Sequence, residues 1–539
     1  MKHIIKLIFS TLLIIVMAAG CDTEELQDLN LNPNAVKEMD MNLFFTAACL
    51  GAASNGSSGD NRYTDWRTNI NFASFAIQHF AMTGGSAGEK YFDNDMEPQN
   101  APFQFYYRDA LKRAHEIIVQ TGTGGYLEGK MKNTREAARI IQVFNFHRLT
   151  DWYGSVPYTE ANKGLPMDGG ILQPRYDKQK DIYTDMLKEL DEACTGLSTT
   201  NPDDGFKKAD IIFKGDIAKW KKWGYSLMLR LAMRLSDVNP TLAATYVSKA
   251  VAGGTMASND DNPWVLMSIT PSEWTNQNGI SRAFYPGDGG AWQGQLLSKT
   301  LIDHLKGPNK ASTADDDPRL TIFTQGAIKW TANDLGEILI GDPLLFEGHP
   351  VGVDGSWLNN FYGKTVTPYE LFCAVNTKMM QDDEPYQLMN AAESEFLKAE
   401  AIVEGIGSVS GTAQAHYEAG VKLAMQLYTK YDATLVVTDA QVESYLATYP
   451  YNAGTAIEQI YTQLWLSKFM MWWDAWSDWR KSGYPVLTPS NYPGNATGGT
   501  IPVKLQIPAA EAAGNPNYST TATIPDKMTT KVWWDGGAE

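Results

Sequence analysis

The sequence predicts a mainly α-helical protein of tetratricopeptide-type helical hairpins, interrupted by a loop-rich region. Three observations carry this reading. Apolar residues recur at helical spacing through most of the chain, two stretches fit the small-and-aromatic pattern of helical-hairpin repeats, and turn-forming residues crowd into defined segments. With 539 residues, 43% of them hydrophobic and 20% charged, there is material for a large buried core. The net charge of −17 and the pI near 4.9 exclude the basic face of a nucleic-acid binder.

The chain opens with Lys2 and Lys6, an apolar run from Leu7 to Met17, and small residues up to Gly20. Residues 1–20 thus read as a signal peptide, since the run is too short for a membrane span. Cys21 follows at once, and "AAGC" resembles the lipobox of bacterial lipoproteins, with Ala18 where Leu is usual. The resemblance implies acylation of Cys21 and an anchor made of several buried acyl chains. An ordinary cleaved secretory signal is the alternative. Cys49, Cys194 and Cys373 remain, an odd count at wide spacing that excludes a fully paired disulfide framework or a CxxC metal site. They are expected to be buried as small apolar residues.

Helical patterns follow over 36–53, 65–82, 102–121, 134–150, 176–195, 215–236 and 241–252. "WKKWGYSL" (Trp220 to Leu227) fits the first helix of a tetratricopeptide repeat, with Trp223 and Leu227 as substitutes. Between 254 and 390 turn signals accumulate, as in "GGTMASNDDNP", "YPGDGGAW" and "GHPVGVDGSW", around one helical pattern at 292–306 and a strand-like "EILIGD". Helical spacing returns at 391–404, 411–430, 438–448 and 455–481. In "AQAHYEAG", Ala413, Tyr417 and Gly420 match the second repeat helix, where small residues let paired helices approach and the aromatic fills the groove. Trp465, Phe469, Trp472, Trp476 and Trp479 step by four, three, four and three, so they share one side of a helix. Such a stripe is expected to be core, with Lys468, Asp474, Asp478 and Lys481 largely off it and Trp473 the member turned elsewhere. A second loop-rich piece covers 485–539.

Taken together, "LNLNPNA", "FNFHRLTDWYGSVPYTEA", "DDDPRL", "ESEFLKAEAIVEG" and "WWDAWSDWRKSGYP" resemble, in order, the SusD/RagB family of Bacteroidetes outer-membrane lipoproteins. "NPNA" and the relaxed motifs are closest to its second SusD-like branch. Asp22, Glu24 and Glu25 resemble the acidic surface-export tag of such lipoproteins. The resemblance implies one domain over 21–539, with a helical-repeat scaffold at 36–253 and 391–484 and a loop-rich part at 254–390 and 485–539 packed on it. It implies a cell-surface lipoprotein that captures an oligosaccharide or oligopeptide and closes over a SusC-type TonB-dependent transporter. No cofactor and no chemistry of its own are implied. Asp151, Gly154, Pro157, Pro318, Arg319 and Arg480 in these motifs are expected to hold structure: a capped turn, a carboxylate pair and a helix end.

Catalytic and metal signals are weak. "GGSAG" (Gly84 to Gly88) has the spacing of a nucleophile elbow around Ser86, but a helical stretch precedes it where a strand is required. "HEIIV" from His115 has Val119 where a zinc helix needs its second His. Asp315, Asp316 and Asp317 read as a capped turn rather than a calcium site. Ligand contacts are therefore expected from loops in which aromatic planes lie beside polar side chains. The candidates are Tyr91, Phe92 and Asp93; Arg282, Phe284, Tyr285 and Trp292; and Trp357, Asn359 and Tyr362. Two rival readings are a surface hydrolase of the same uptake system and a helical scaffold that binds only protein.

Overall fold

A computed structural model describes residues 38–54, 62–84, 88–93, 97–165, 169–270, 274–284, 295–331, 334–520 and 525–539. The chain divides into a short unit, Met1–Met41, and a second unit, Asn42–Glu539, whose architecture follows. Most of its longer helices lie close to where apolar spacing places them: α1 (Met41–Ser54), α2 (Lys112–Thr121), α3 (Lys132–Tyr153), α4 (Gln179–Gly196), α5 (Ile217–Arg234) and α6 (Pro240–Gly253). The pattern at 65–82 is helical only in its first part, π-helical over Asp65–Ser74, and turns at Gln78 (φ 57°) into the strand Phe80–Ala81. The loop-rich stretch holds α7 (Lys299–Leu305) and α8 (Gly355–Tyr362). Then come α9 (Ala391–Glu404), α10 (Ala413–Gln426), α11 (Asp439–Thr448), α12 (Ala456–Ser467) and α13 (Trp472–Ser482). Asp216, Thr412 and Thr438 cap α5, α10 and α11 through their side-chain oxygens.

Consecutive helices pack as pairs: α3 with α4, α5 with α6, α9 with α10. Glycine sets the closeness of two packings. A Cβ on Gly224 would stand 2.4 Å from the Cys194 sulfur, and one on Gly420 2.5 Å from the Phe396 ring. These are the small positions of the two repeat-like motifs, and Tyr417 fills the same groove with its centroid 6.1 Å from Phe396. Strands are few and short. "EILIGD" overlaps the strand Asp334–Ile340, which pairs antiparallel with Ala327–Thr331. In the described part of the helical pattern at 292–306, Leu296–Leu297 is instead a strand against Phe80–Ala81, and helix starts where Ser298 caps α7 by accepting from the Leu301 amide. Cys49, Cys194 and Cys373 are buried and free.

The tryptophan stripe departs from one continuous helix. The chain leaves α12 after Ser467 and re-enters helix at Trp472, with Met470 in the left-handed region at φ 83°. Buried Lys468 explains the break, since there its ammonium reaches both Glu393 (2.9 Å) and Asp478 (2.5 Å). Asn69 completes the start of α13 from outside, accepting from the Trp473 amide at 3.1 Å. The stripe itself is core: Trp465, Phe469, Trp472 and Trp476 are buried, and Trp479 is half-buried. Trp473, off the stripe, is buried as well, tilted against Trp152 at 5.4 Å under the Arg148 guanidinium.

The opposite side of α13 is also interior. Arg148 grips Asp474 with two bonds (3.2 and 2.8 Å), Arg230 grips Glu393 with two of 2.6 Å, and Arg234 joins Asp151 (3.0 Å) to Asp478 (2.8 Å). Arg480 donates to the carbonyls of Asp151 and Val503, holding the end of α3 against the tail. In the loop-rich part Arg319 pairs with Asp317 in the same two-pronged way.

Burial alone would favour a neutral Asp474, yet Arg148 and Arg230 hold its carboxyl well below the usual carboxylate range. Asp474→Ala leaves Arg148 buried without its carboxylate and is expected to cost about 3–5 kcal/mol in urea denaturation at neutral pH. Because the native pKa is depressed, this contribution is complete above the unfolded value and fades as pH falls through the native one. The gap between wild type and variant is expected to hold down to about pH 4 and to narrow below it.

Candidate functional site

Two of the sequence-predicted loops meet on one surface. Asp354 caps α8 by accepting from the Trp357 amide at 2.8 Å. One turn later the i, i+4 spacing lays Phe361 against Trp357, centroids 4.9 Å apart and planes within 9°. This pair is 43% and 66% exposed, so stacked aromatic area is left open to solvent. The other oxygen of Asp354 accepts from the Tyr492 hydroxyl at 2.9 Å. Phe92 stands edge-on to the Tyr492 ring at 5.8 Å, and the Lys90 ammonium lies 4.9 Å from the same ring centroid. Residues 89–93, 352–361 and 490–496 are thus joined through Asp354 and Tyr492 into one aromatic platform.

The platform is held from beneath. Lys90 donates to the carbonyls of Met82, Thr83 and Gly84, closing its own loop. Tyr91 adopts φ 58°, and its hydroxyl accepts from the Ser490 amide while its carbonyl accepts from Ala496. Tyr91 is 1% exposed, which makes it a fixed strut rather than a ligand contact, and burial pushes its phenol up to about 12. Glu89 accepts from the amides of Gly352 (2.8 Å) and Met82 (3.2 Å), tying loop to platform. Gly352 is required there, because a Cβ would fall 2.3 Å from the Ser490 hydroxyl.

The predicted residues are distributed as follows. Phe92, Asp93, Trp357, Asn359 and Tyr362 lie at the surface on or beside the platform, Asn359 accepting from the Val366 amide and Tyr362 facing Glu347. Tyr91 is buried beneath it. Arg282 and Phe284 are core residues, 1% and 2% exposed, and offer no surface to a ligand. Tyr285, Trp292, Ser86 and Cys21 lie outside the described residues. Phe361, Asp354 and Tyr492 were not singled out from sequence. The i, i+4 spacing behind an Asp cap would have found Phe361; nothing local points to Tyr492.

Among the described residues no group of His, Cys, Asp or Glu is placed to hold a metal ion, and no helix is long and apolar enough to cross a membrane. Asp315 and Asp316 accept from the amides of Asn309 and Gly307 in a turn. Burial lowers His147 well below the ordinary imidazole range, and Arg230 adds to that, so it serves as a neutral member of the ionic core.

The chain matches the SusD-like_2 family, described as starch-binding associating with outer membrane, over residues 33–508. Among solved structures it is similar to one titled a chitin-binding protein, at 30% identity and TM-score 0.76, covering 92% of this chain and 100% of that one. A SusD homolog from Bacteroides uniformis is similar at 23% identity and TM-score 0.70, covering 91% and 99%. A chitin-binding SusD homolog from Flavobacterium johnsoniae is similar at 22% and 0.69, covering 92% and 98%. The last two likenesses are of fold. No curated protein sequence matches the chain.

Glu89 tests how the platform is held. Burial pushes its carboxyl up to about 8, against the pull of the Gly352 amide and Lys90. The folded protein therefore keeps a proton that the unfolded chain has released, and this site makes stability fall as pH rises from about 5 to about 8. Glu89→Ala is expected to cost about 1–3 kcal/mol at pH 5, by leaving two amides without an acceptor. Melting curves across that range are expected to show a shallower decline in the variant than in wild type.

Proposed function

The chain belongs to the SusD-like family of starch-binding proteins that associate with the outer membrane, and on that premise we propose that it is a non-enzymatic, surface-exposed lipoprotein that captures an oligosaccharide for uptake. Cys21 carries the lipid anchor, and a SusC-type TonB-dependent transporter is the partner over which the protein closes. The observation that carries this reading is the exposed Trp357–Phe361 stack beside Tyr492, Phe92 and Asp354. Sugar rings present apolar C–H faces and a rim of hydroxyls; flat aromatic faces edged by acceptors complement both. The family description and the chitin-binding title of the 30%-identical structure support a glycan over an oligopeptide.

The chemistry of delivery fits modest affinity. A ligand handed to a transporter must leave again, and dissociation constants from micromolar to millimolar correspond to about 4–8 kcal/mol. A few stacked rings and hydrogen bonds supply that much.

Replacing Trp357 and Phe361 together by Ala is expected to weaken retention of chitin or starch oligosaccharides about tenfold or more. The melting temperature should stay close to wild type, since both rings already keep much of their surface in solvent. Incubation with the same oligosaccharides should yield no product; product accumulating in proportion to protein would favour the hydrolase instead. Cys21→Ala is expected to move the protein from the membrane fraction to the soluble fraction. A variant that stays membrane-bound would remove the anchor from this reading.

A further inference from the structure

A second place in the molecule combines aromatic rings with uncommitted polar side chains. It is a cleft of about 540 Å³ walled by α7, α11 and α12. From α11 comes Tyr445 and from its C-cap Tyr449, with centroids 5.0 Å from each other and both half-buried. From α12 come Glu458 and Thr462, also one turn apart, and from α7 comes His304. Glu458, Thr462 and His304 make no side-chain hydrogen bond or ion pair among the described residues, and each retains solvent access. His304 only sets its ring edge-on to Trp465 at 5.4 Å.

The surrounding charges are otherwise committed. Asp317 is gripped by Arg319, Asp303 pairs with Lys299, and Lys306 donates to the carbonyls of Leu344 and Phe346. Partial loss of solvent lowers His304 below the ordinary imidazole range, so at neutral pH it is an uncharged donor and acceptor. No guanidinium fork lines the cleft, the one lysine on its wall, Lys306, is turned to carbonyls, and the carboxylates of Asp303, Asp317 and Glu458 there disfavour phosphate, sulfate or uronate. What is offered is a carboxylate, a neutral imidazole and a hydroxyl in a cleft that two tyrosine rings also line. That set complements a ring with several hydroxyls and no charge.

We propose that this tyrosine-lined cleft is a second sugar-binding site, taking a neutral oligosaccharide independently of the Trp357 platform. Only the choice of probe rests on the glycan reading above; the cleft is argued from its own side chains. Two sites on one chain would raise retention on a long polymer well beyond the affinity for a short oligomer, because the second contact forms at high local concentration.

The test titrates the full chain with neutral oligosaccharides of chitin and of starch by calorimetry. Four proteins are compared: wild type, Trp357→Ala with Phe361→Ala, Glu458→Ala with Thr462→Val, and all four changes together. The platform variant is expected to keep residual binding, and adding the cleft changes should weaken that residue about tenfold. Tyr449→Phe, which keeps the ring, should bind like wild type, whereas Tyr449→Ala should lose the residual binding. Cleft variants that titrate like their parent in both backgrounds would overturn the second site and leave the platform standing. Binding lost through the cleft changes alone, with the platform variant unaffected, would support the cleft and sink the platform. No binding of either probe by wild type would overturn both.

Discussion

Arg148, Arg230, Arg234, Lys468 and Arg480 lie buried among the carboxylates of Asp151, Glu393, Asp474 and Asp478, joining α3, α5, α9 and α13. Removing each of these ions from water costs several kcal/mol, and only close, paired geometry repays it. The pairings are two-pronged where a guanidinium meets a carboxylate head-on, as at Asp474 and Glu393. Arg480 turns instead to the carbonyls of Asp151 and Val503. Asp151 lies in the last turn of α3, where helix carbonyls lack partners of their own and carry partial negative charge. Helices far apart in sequence must therefore reach their final places together, since any one missing leaves charge stranded in the interior.

The exposed platform grows out of this interior. Its loop follows the segment whose Ile77 carbonyl accepts from Trp465 and whose Phe80 packs 5.1 Å from Trp472. Lys90 and Glu89 then fasten the loop to backbone on both sides. Rings open to water are thus carried on a base that has little freedom, and little ordering remains to be done when a ligand arrives.

Much of the helical scaffold was legible because apolar spacing and capping residues are local signals; Thr438 with Gln441 and Asn390 before α9 mark starts that the sequence displays. The break in the tryptophan stripe was not. Its cause is Lys468 finding Glu393 and Asp478, and no window of the sequence contains that pair of partners together with the turn. The charged face of α13 misleads for the same reason: Asp474 and Lys481 look like a solvated side until Arg148 and Glu400 arrive to meet them. At the platform, Trp357 and Phe92 stood out as loop aromatics. Arg282 and Phe284 had the same local appearance and went to the core, because burial depends on what packs over a residue and not on its neighbours in sequence. Tyr492 joins the two loops from a distant tail that carries no periodic pattern at all.

Asn69 reaches the carbonyl of Met470 and the amide of Trp473, residues 401 and 404 positions later. A ribosome making this chain releases the asparagine long before its partners exist. The segment around Phe72 and Phe80 meets Phe284 and the Leu296–Leu297 strand first, and gains its contacts with Trp472 and Trp476 only when nearly nine-tenths of synthesis is complete. Closing so long a loop adds little entropic cost over a shorter one, yet the search is slow because the contact is so remote. The central core is thus completed late, and a chain that ends before Trp472 has no finished interior to fall back on.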